Sequence, residues 1–203
     1  DSITAGVGDV PGSKGYPARI KSYLPNAVVY NLGKPGETSA QGKLRALSAF
    51  KSLNQRFDYV VTLEGTNDYF TRSKSSTTTA SNVKSIRNTS FSFSPVSLIG
   101  NLTATSRSYQ RSWVSSVNTK LKPLANINFF GFGTGIIGYD GLHPHSNGYQ
   151  QMASLVKTRL KAVGDLARPL DQDQDGVYDF MEIQKGSSTS LVDTDGDGIS
   201  DRD

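Results

Sequence analysis

No cysteine occurs among the 203 residues, which excludes disulfides, thiolate metal sites and thiol nucleophiles, and leaves the redox compartment open. Long apolar runs are also absent, so no membrane span is expected, and no charged, then apolar, then small-residue leader precedes the first motif. Lysine and arginine are scattered, without the basic stripe and interleaved aromatics of a nucleic-acid surface, and no nucleic-acid partner is expected. Acidic residues are sparse until Leu170, and then ten of the eighteen follow. Residues 171–203 therefore carry a net charge of −8 and the remainder +12. A chain of this length buries one substantial core with a short appendage. The helical pattern stops around Ala167-Arg168-Pro169, which sets domain boundaries at 1–167 and 168–203.

What is present first is alternation. Ala27–Asn31, Tyr59–Leu63, Pro95–Ile99 and Ile127–Phe132 are short β-branched and aromatic runs that read as buried strands. Gln41–Gln55, Ser106–Leu121 and Gly148–Val163 carry apolar residues at helical spacing. Strand and helix in turn predict an α/β fold with a parallel sheet, its site at the carboxyl ends of the strands. Thr71–Ser81, rich in Ser and Thr, reads as a solvent loop, with a mobile lid as the other reading. Trp113 and its helically spaced neighbours read as core rather than as a substrate platform.

The chemistry is carried by two ends of the chain. Asp1-Ser2-Ile3-Thr4-Ala5-Gly6-Val7-Gly8 places a serine before a glycine-rich turn. Asp140-Gly141-Leu142-His143-Pro144 supplies a carboxylate and an imidazole three residues apart. A serine hydroxyl is a poor nucleophile until a base takes its proton, and that base works best when a carboxylate holds its tautomer. The pair points to ester hydrolysis. Between them lie Asn31-Leu32-Gly33-Lys34-Pro35-Gly36 and Gly65-Thr66-Asn67-Asp68. Taken singly, these blocks are equally turn formers, with Gly33 and Gly36 permitting positive φ and Asn67 closing a turn. His143 alone is equally a helix cap, and His145 is expected to do only such local work. Glu64, ending an apolar strand, is a carboxyl whose pKa shifts if it is buried.

Taken together and in order, the four blocks resemble the SGNH hydrolase superfamily, the GDSL-type lipases and esterases, over roughly residues 1–165. The resemblance implies a three-layer α/β/α sandwich with a parallel, flavodoxin-like sheet. It makes Ser2 the nucleophile, His143 the base and later acid, and Asp140 the orienting carboxylate. The Ser2 N–H, the Gly33 N–H and the Asn67 side-chain amide become the oxyanion donors, with Gly33 lacking a side chain that would block substrate. Asp1 and Asp68 are expected to brace these loops. No catalytic cofactor is implied. The strand and the glycine that precede the family's serine are missing from the sequence, so the first strand is expected to be absent. The chain is expected to be a fragment, cut within its first and its last motif.

That last motif is acidic. Asp171, Asp173, Asp175, Gly176, Val177, Asp179 and Glu182 occupy the positions of a calcium loop: carboxylates converging on a hard cation, glycine at the sharp turn, a backbone carbonyl, and a bidentate glutamate. Asp193, Asp195, Asp197, Ile199 and Asp201 begin a second loop, one residue short of its twelfth position. The segment resembles thrombospondin type 3 repeats, which implies structural calcium. Loops of this kind often bind at about 10⁻⁴–10⁻³ M, a level expected outside cells, so an extracellular, secreted protein is expected. The partners expected are calcium and an ester substrate, with acetylated polysaccharide favoured over lipid or phospholipid. The competing function is a calcium-dependent binding or spacer module on an inactive hydrolase-like domain.

Overall fold

The computed structural model describes residues 1–72, 75–166, 172–173, 177, 182 and 186–201. Two compact units are present, Asp1–Leu160 and Lys161–Asp203. The boundary expected after residue 167 lies outside the described residues.

The first unit is built on a small parallel sheet. Strands β1 (Tyr59–Thr62) and β2 (Val96–Ile99) pair in the register Tyr59 with Val96 through Thr62 with Ile99. A single parallel bridge, Gly100 to Ile127, continues it. The run expected as a strand over Ile127–Phe132 instead turns at Asn128, whose side chain accepts from Gly131 N–H, into a 3₁₀ segment, Phe129–Ile136. The Phe129 ring lies so close to Gly100 that a Cβ there would meet it at 2.3 Å.

Ala27–Asn31 also departs from expectation. The segment is extended but forms no ladder. In a parallel pair, alternate residues bond to one neighbour. Because the Thr62 carbonyl accepts from Gly100 N–H, Val61 and Leu63 turn their backbone groups away from β2. On that side lies a cleft of about 530 Å³ lined by Tyr16, Ile20, Val28, Tyr30, Phe50 and Val61 among others, which separates residues 28–30 from β1. No described strand bridges it.

Helices cover the sheet. Helix α3 (Ser39–Lys51) begins in a capping box, with Thr38 accepting from Gln41 N–H and the Gln41 side chain returning to Thr38. Helix α4 (Ser76–Ser90) occupies part of the expected loop. Its Ser- and Thr-rich turns have modest helix propensity, but Ser75 caps it and Thr79, Ala80, Val83, Ile86 and Ser90 bury one face. It packs between α3 and α5 (Ser108–Leu121) and against both strands, so burial overrides propensity. On α5, Asn118 accepts from Leu102 N–H at 2.8 Å and donates to the Leu102 carbonyl at 2.9 Å, fixing the chain beyond β2 as a strand partner would. Helix α6 (Ser146–Leu166) buries Tyr149, Met152, Ala153, Val156 and Leu160, the apolar spacing that marks it in the sequence. Two further helices were not expected from the sequence: α1 (Ser2–Ala5) and α2 (Gly15–Tyr23). Both are short and glycine-flanked, and α2 is weakly amphipathic.

Candidate active site

Ser2 is the first residue of α1, a single turn. Asp1 caps it, its Oδ1 accepting from Ile3 N–H at 3.0 Å and Thr4 N–H at 3.4 Å. The Ser2 N–H has no intrahelical acceptor at this position. The chain then leaves through Gly6, Gly8 and Gly12, all at positive φ, to α2. Gly6 packs on Gly15 so closely that a Cβ on either would meet backbone of the other within 2.4–2.7 Å. A Cβ on Gly8 would meet His143 Cβ at 2.8 Å. Gly6 and Gly8 are therefore packing requirements, the first against backbone and the second against His143, while Gly12 faces open space.

The loop after β1 adds a second layer. Glu64 is buried, with its Oε2 2.8 Å from the Asp1 nitrogen and its Oε1 accepting from Gly65 N–H. Burial pushes its carboxyl above the ordinary range. Asp68, also buried, accepts from Ser39 N–H at 2.9 Å and ties this loop to the start of α3. Asn67 donates from Nδ2 to the Glu37 carbonyl at 2.9 Å, which leaves its other amide hydrogen outside that bond. Glu37 is itself gripped by Arg45, whose Nε and Nη2 each donate at 2.6 Å, and Arg45 also donates to the Leu32 carbonyl. The Gly33 and Asn67 loops thus share one ion pair.

Gly33 stands in a different relation to the site than expected. A Cβ here would lie 2.3 Å from Ala5 N and 2.7 Å from Thr4 C. The absence of a side chain lets the loop touch the backbone of α1. The Gly33 N–H donates to Asn31 Oδ1 at 2.9 Å, and Asn31 Nδ2 donates to the Thr4 carbonyl at 2.8 Å. Asn31 therefore links Gly33 to the serine helix, a role that its sequence position beside Gly33 did not signal.

His143 comes from the far end of the unit. Its Nε2 lies 2.9 Å from Ser2 Oγ, and its Nδ1 is hydrogen-bonded to Asp140 Oδ2. Asp140 Oδ1 accepts from Leu142 N–H and His143 N–H, both at 2.9 Å. Partial burial would raise the Asp140 carboxyl, but the bonds from His143 and these two amides hold it below the ordinary range. The turn is anchored by Gly141, at φ 75°, whose carbonyl accepts from Ser106 N–H and Thr105 Oγ. An imidazole set between a carboxylate and a hydroxyl can draw the hydroxyl proton and return it. His145 bonds to the Gly135 carbonyl and accepts from Gly148 N–H, local work at the start of α6. Two contacts hold the serine loop to that helix. Tyr149 donates to the Val7 carbonyl at 2.5 Å, and Arg19 joins Asp9 to Ser146. Neither Asp9 nor Arg19 stands out in the sequence.

Trp113 and its helically spaced neighbours, expected as core, divide between core and surface. Val117 and Leu121 are buried, but Tyr109 is 59% exposed and Trp113 half-buried against Tyr69.

In the second unit, carboxylate oxygens of Asp193, Asp195 and Asp197 lie within 4.8 Å of one another. Asp193 accepts from Gly196 and Gly198 N–H at 2.8 Å each, bonds that lower its pKa. Asp197 accepts from Ile199 N–H, whereas Asp201 is bonded to Thr194 instead of joining the cluster. Three hard oxygens on a turn with two positive-φ glycines fit part of a calcium shell, which takes six to eight ligands. Of the first loop, Val177 and Glu182 are fully buried and Asp173 half-buried. Asp171, Asp175 and Asp179 lie outside the described residues.

A parallel α/β frame with a Ser, His and Asp hydrogen-bonded in series beyond the strand ends is the frame of a hydrolase class. Residues 1–151 match the model of the GDSL-like lipase/acylhydrolase family, and the chain belongs to that family. No curated protein matches the sequence. Among solved structures, TesA is 22% identical, covers 80% of this chain and 96% of its own, and superposes with a TM-score of 0.67. The psychrotrophic esterase EstA from Pseudoalteromonas sp. is 16% identical, covering 81% and 95%, TM-score 0.63. A catalytic mutant of Axe2, an acetylxylan esterase from Geobacillus stearothermophilus, is 16% identical, covering 79% and 90%, TM-score 0.60. These likenesses are of fold.

Two outcomes are expected. Gly33→Ala should force the loop off α1, lowering stability by about 1–3 kcal/mol and ester turnover by at least about tenfold through displacement of Ser2; thermal melts and initial rates measure both. Asp140, with its folded pKa lowered, contributes stability that is complete above its unfolded pKa of about 3.9 and is lost as pH falls through the folded value. The melting-temperature gap between the wild type and Asp140→Asn should therefore close as pH drops below the ordinary carboxylate range, and a gap constant down to pH 2 contradicts the assigned hydrogen bonds.

Proposed function

We propose that the protein is a secreted serine ester hydrolase that works through an acyl-enzyme, with acetylated carbohydrate as its substrate class. The observation that carries this is the series Asp140, His143, Ser2, with the 2.9 Å approach of His143 Nε2 to Ser2 Oγ at its centre. His143 Nε2 takes the Ser2 proton as Oγ bonds to the ester carbonyl carbon, and the carbonyl oxygen becomes an oxyanion. His143 then gives that proton to the alcohol oxygen as its bond to carbon breaks. Water repeats the sequence on the acyl group: His143 takes its proton, the acid leaves, and Ser2 recovers its hydrogen.

The oxyanion is stabilised by the Ser2 N–H, which no turn of helix uses, and by the Asn67 amide hydrogen not given to Glu37. Gly33 N–H joins them if its bond to Asn31 opens on substrate binding. Asp140, held below the ordinary carboxylate range, remains anionic to orient the imidazole and balance its charge. Acetylated carbohydrate is supported by the open setting: the Asp140 side chain is 44% exposed.

Calcium would be held by Asp193, Asp195, Asp197 and the Ile199 carbonyl in one loop, with Asp201 acting once its bonds to Thr194 are exchanged. Asp171, Asp173, Asp175, Val177, Asp179 and Glu182 would hold it in the other. Its role is to neutralise clustered carboxylates and order the segment. Extracellular modules with such loops often take calcium at about 10⁻⁴–10⁻³ M, which is the basis for reading the protein as secreted.

Ser2→Ala should cut kcat on p-nitrophenyl acetate by about a million-fold without changing the melt, and abolish labelling by a fluorophosphonate; undiminished turnover refutes the mechanism. Removing calcium with EGTA should increase proteolysis after residue 167 while sparing ester turnover, measured by limited digestion and initial rates side by side. Equal digestion with and without calcium refutes the metal assignment.

A further inference from the structure

A group of aromatic rings lies between the site loops, and no step of hydrolysis uses it. Tyr69 and Phe70 follow Asn67 in the 3₁₀ turn Thr66–Phe70, and Tyr109 and Trp113 stand one turn apart on α5. Tyr69 is central, its ring centroid 5.4 Å from that of Phe70, 5.7 Å from Tyr109 and 5.8 Å from Trp113. These are the separations of favourable aromatic packing. Phe70 and Tyr109 are nonetheless 59% exposed each. Two half-buried rings hold two others open to solvent.

The ledge is tied to both sides of the site. Tyr69 lies two positions after Asn67, at most about 7 Å of extended chain. Arg107, two residues before Tyr109, donates from Nε to the Asp140 carbonyl at 2.8 Å, and the neighbouring Ser106 N–H holds the Gly141 carbonyl. The rings therefore span from the Asn67 loop to the turn that orients His143.

The surroundings select the ligand. A long acyl chain is bound by enclosure in an apolar pocket, whereas Phe70 and Tyr109 are open to solvent and none of the four rings lines either described cavity. Flat, open rings, one of them carrying a phenolic hydroxyl, suit a flat ligand with an apolar face and polar edges. A pyranose ring is such a ligand: its axial C–H groups lie on an aromatic face while its hydroxyls stay hydrated or bond at the rim.

We propose that Tyr69, Phe70, Tyr109 and Trp113 form a sugar subsite that stacks a pyranose ring of an acetylated polysaccharide and presents the neighbouring acetyl ester to Ser2. The proposal rests on the ester-hydrolase function above and names its alcohol side.

The wild type, Tyr109→Ala, Phe70→Ala/Tyr109→Ala and Tyr109→Phe are compared on acetylated xylo-oligosaccharides, p-nitrophenyl acetate and p-nitrophenyl octanoate. The double alanine variant should raise KM for the oligosaccharide about tenfold more than for p-nitrophenyl acetate, with the larger effect on KM than on kcat. Tyr109→Phe, which keeps the ring, should restore most of it. Equal KM shifts on all three esters overturn the subsite, and so does a selective loss on the octanoate, which would give the ledge to an acyl chain. Trp113 is the single tryptophan, so Ser2→Ala titrated with the oligosaccharide should show a saturable fluorescence change that Tyr109→Ala weakens. Such binding without ester hydrolysis by the wild type overturns the hydrolase function and retains the subsite. Hydrolysis with neither a fluorescence change nor a selective KM shift overturns the subsite alone.

Discussion

A helix of four residues does not hold itself together in water, and the hydroxyl at the centre of the site sits on such a helix. Everything that fixes Ser2 is imposed from outside α1. Asp1 caps it, Asn31 takes its Thr4 carbonyl, and Gly33 and Gly15 press backbone against backbone. Tyr149 secures the loop that follows. Side chains at the glycines would separate these surfaces by more than an ångström, and a displacement of that size is enough to spoil a reacting geometry. Gly6, Gly15 and Gly33 are thus fixed by close packing around one turn of helix.

Beneath that turn lies a layer of charge. Glu64 and Glu37 are buried carboxyls, the first beside the Asp1 nitrogen and the second in the grip of Arg45. Buried carboxyls left unpaired are costly, and here each is fastened to a loop that carries a site group. Glu37 offers its carbonyl to Asn67, and Arg45 reaches the Leu32 carbonyl next to Gly33. Position in the site is therefore coupled to ion pairing that never touches substrate.

Much of this is legible in the sequence because local chemistry and tertiary role coincide. Asp140 and His143 meet within one turn, as their spacing implies, and the apolar face of α6 follows its periodicity, whereas on α3 Leu44 and Leu47 are exposed and the buried face is Ser39, Gly42, Ala46 and Phe50. What is not legible depends on distant partners. The Ser- and Thr-rich α4 reads as a loop until Val83 and Ile86 are seen to have a core to enter. Val28–Tyr30 has strand composition but pairs with no strand among the described residues, and the strand signal over Ile127–Phe132 yields to the turn at Asn128. Gly33 is legible as a necessary glycine, but its reason, contact with Thr4 and Ala5, requires knowing what packs on it. The aromatic ledge is hidden for the same cause, since a ring at helical spacing looks alike whether its outer face meets core or water.

The hydrogen bond between His143 and Ser2 joins residues 141 positions apart. A loop of that span closes late, because chain entropy must be lost before the contact forms. During refolding, helical signal from α3 to α6 can return while the nucleophile remains unpaired. Recovery of reactivity is then a clock for completion of the whole unit, slower than any spectroscopic measure of its parts.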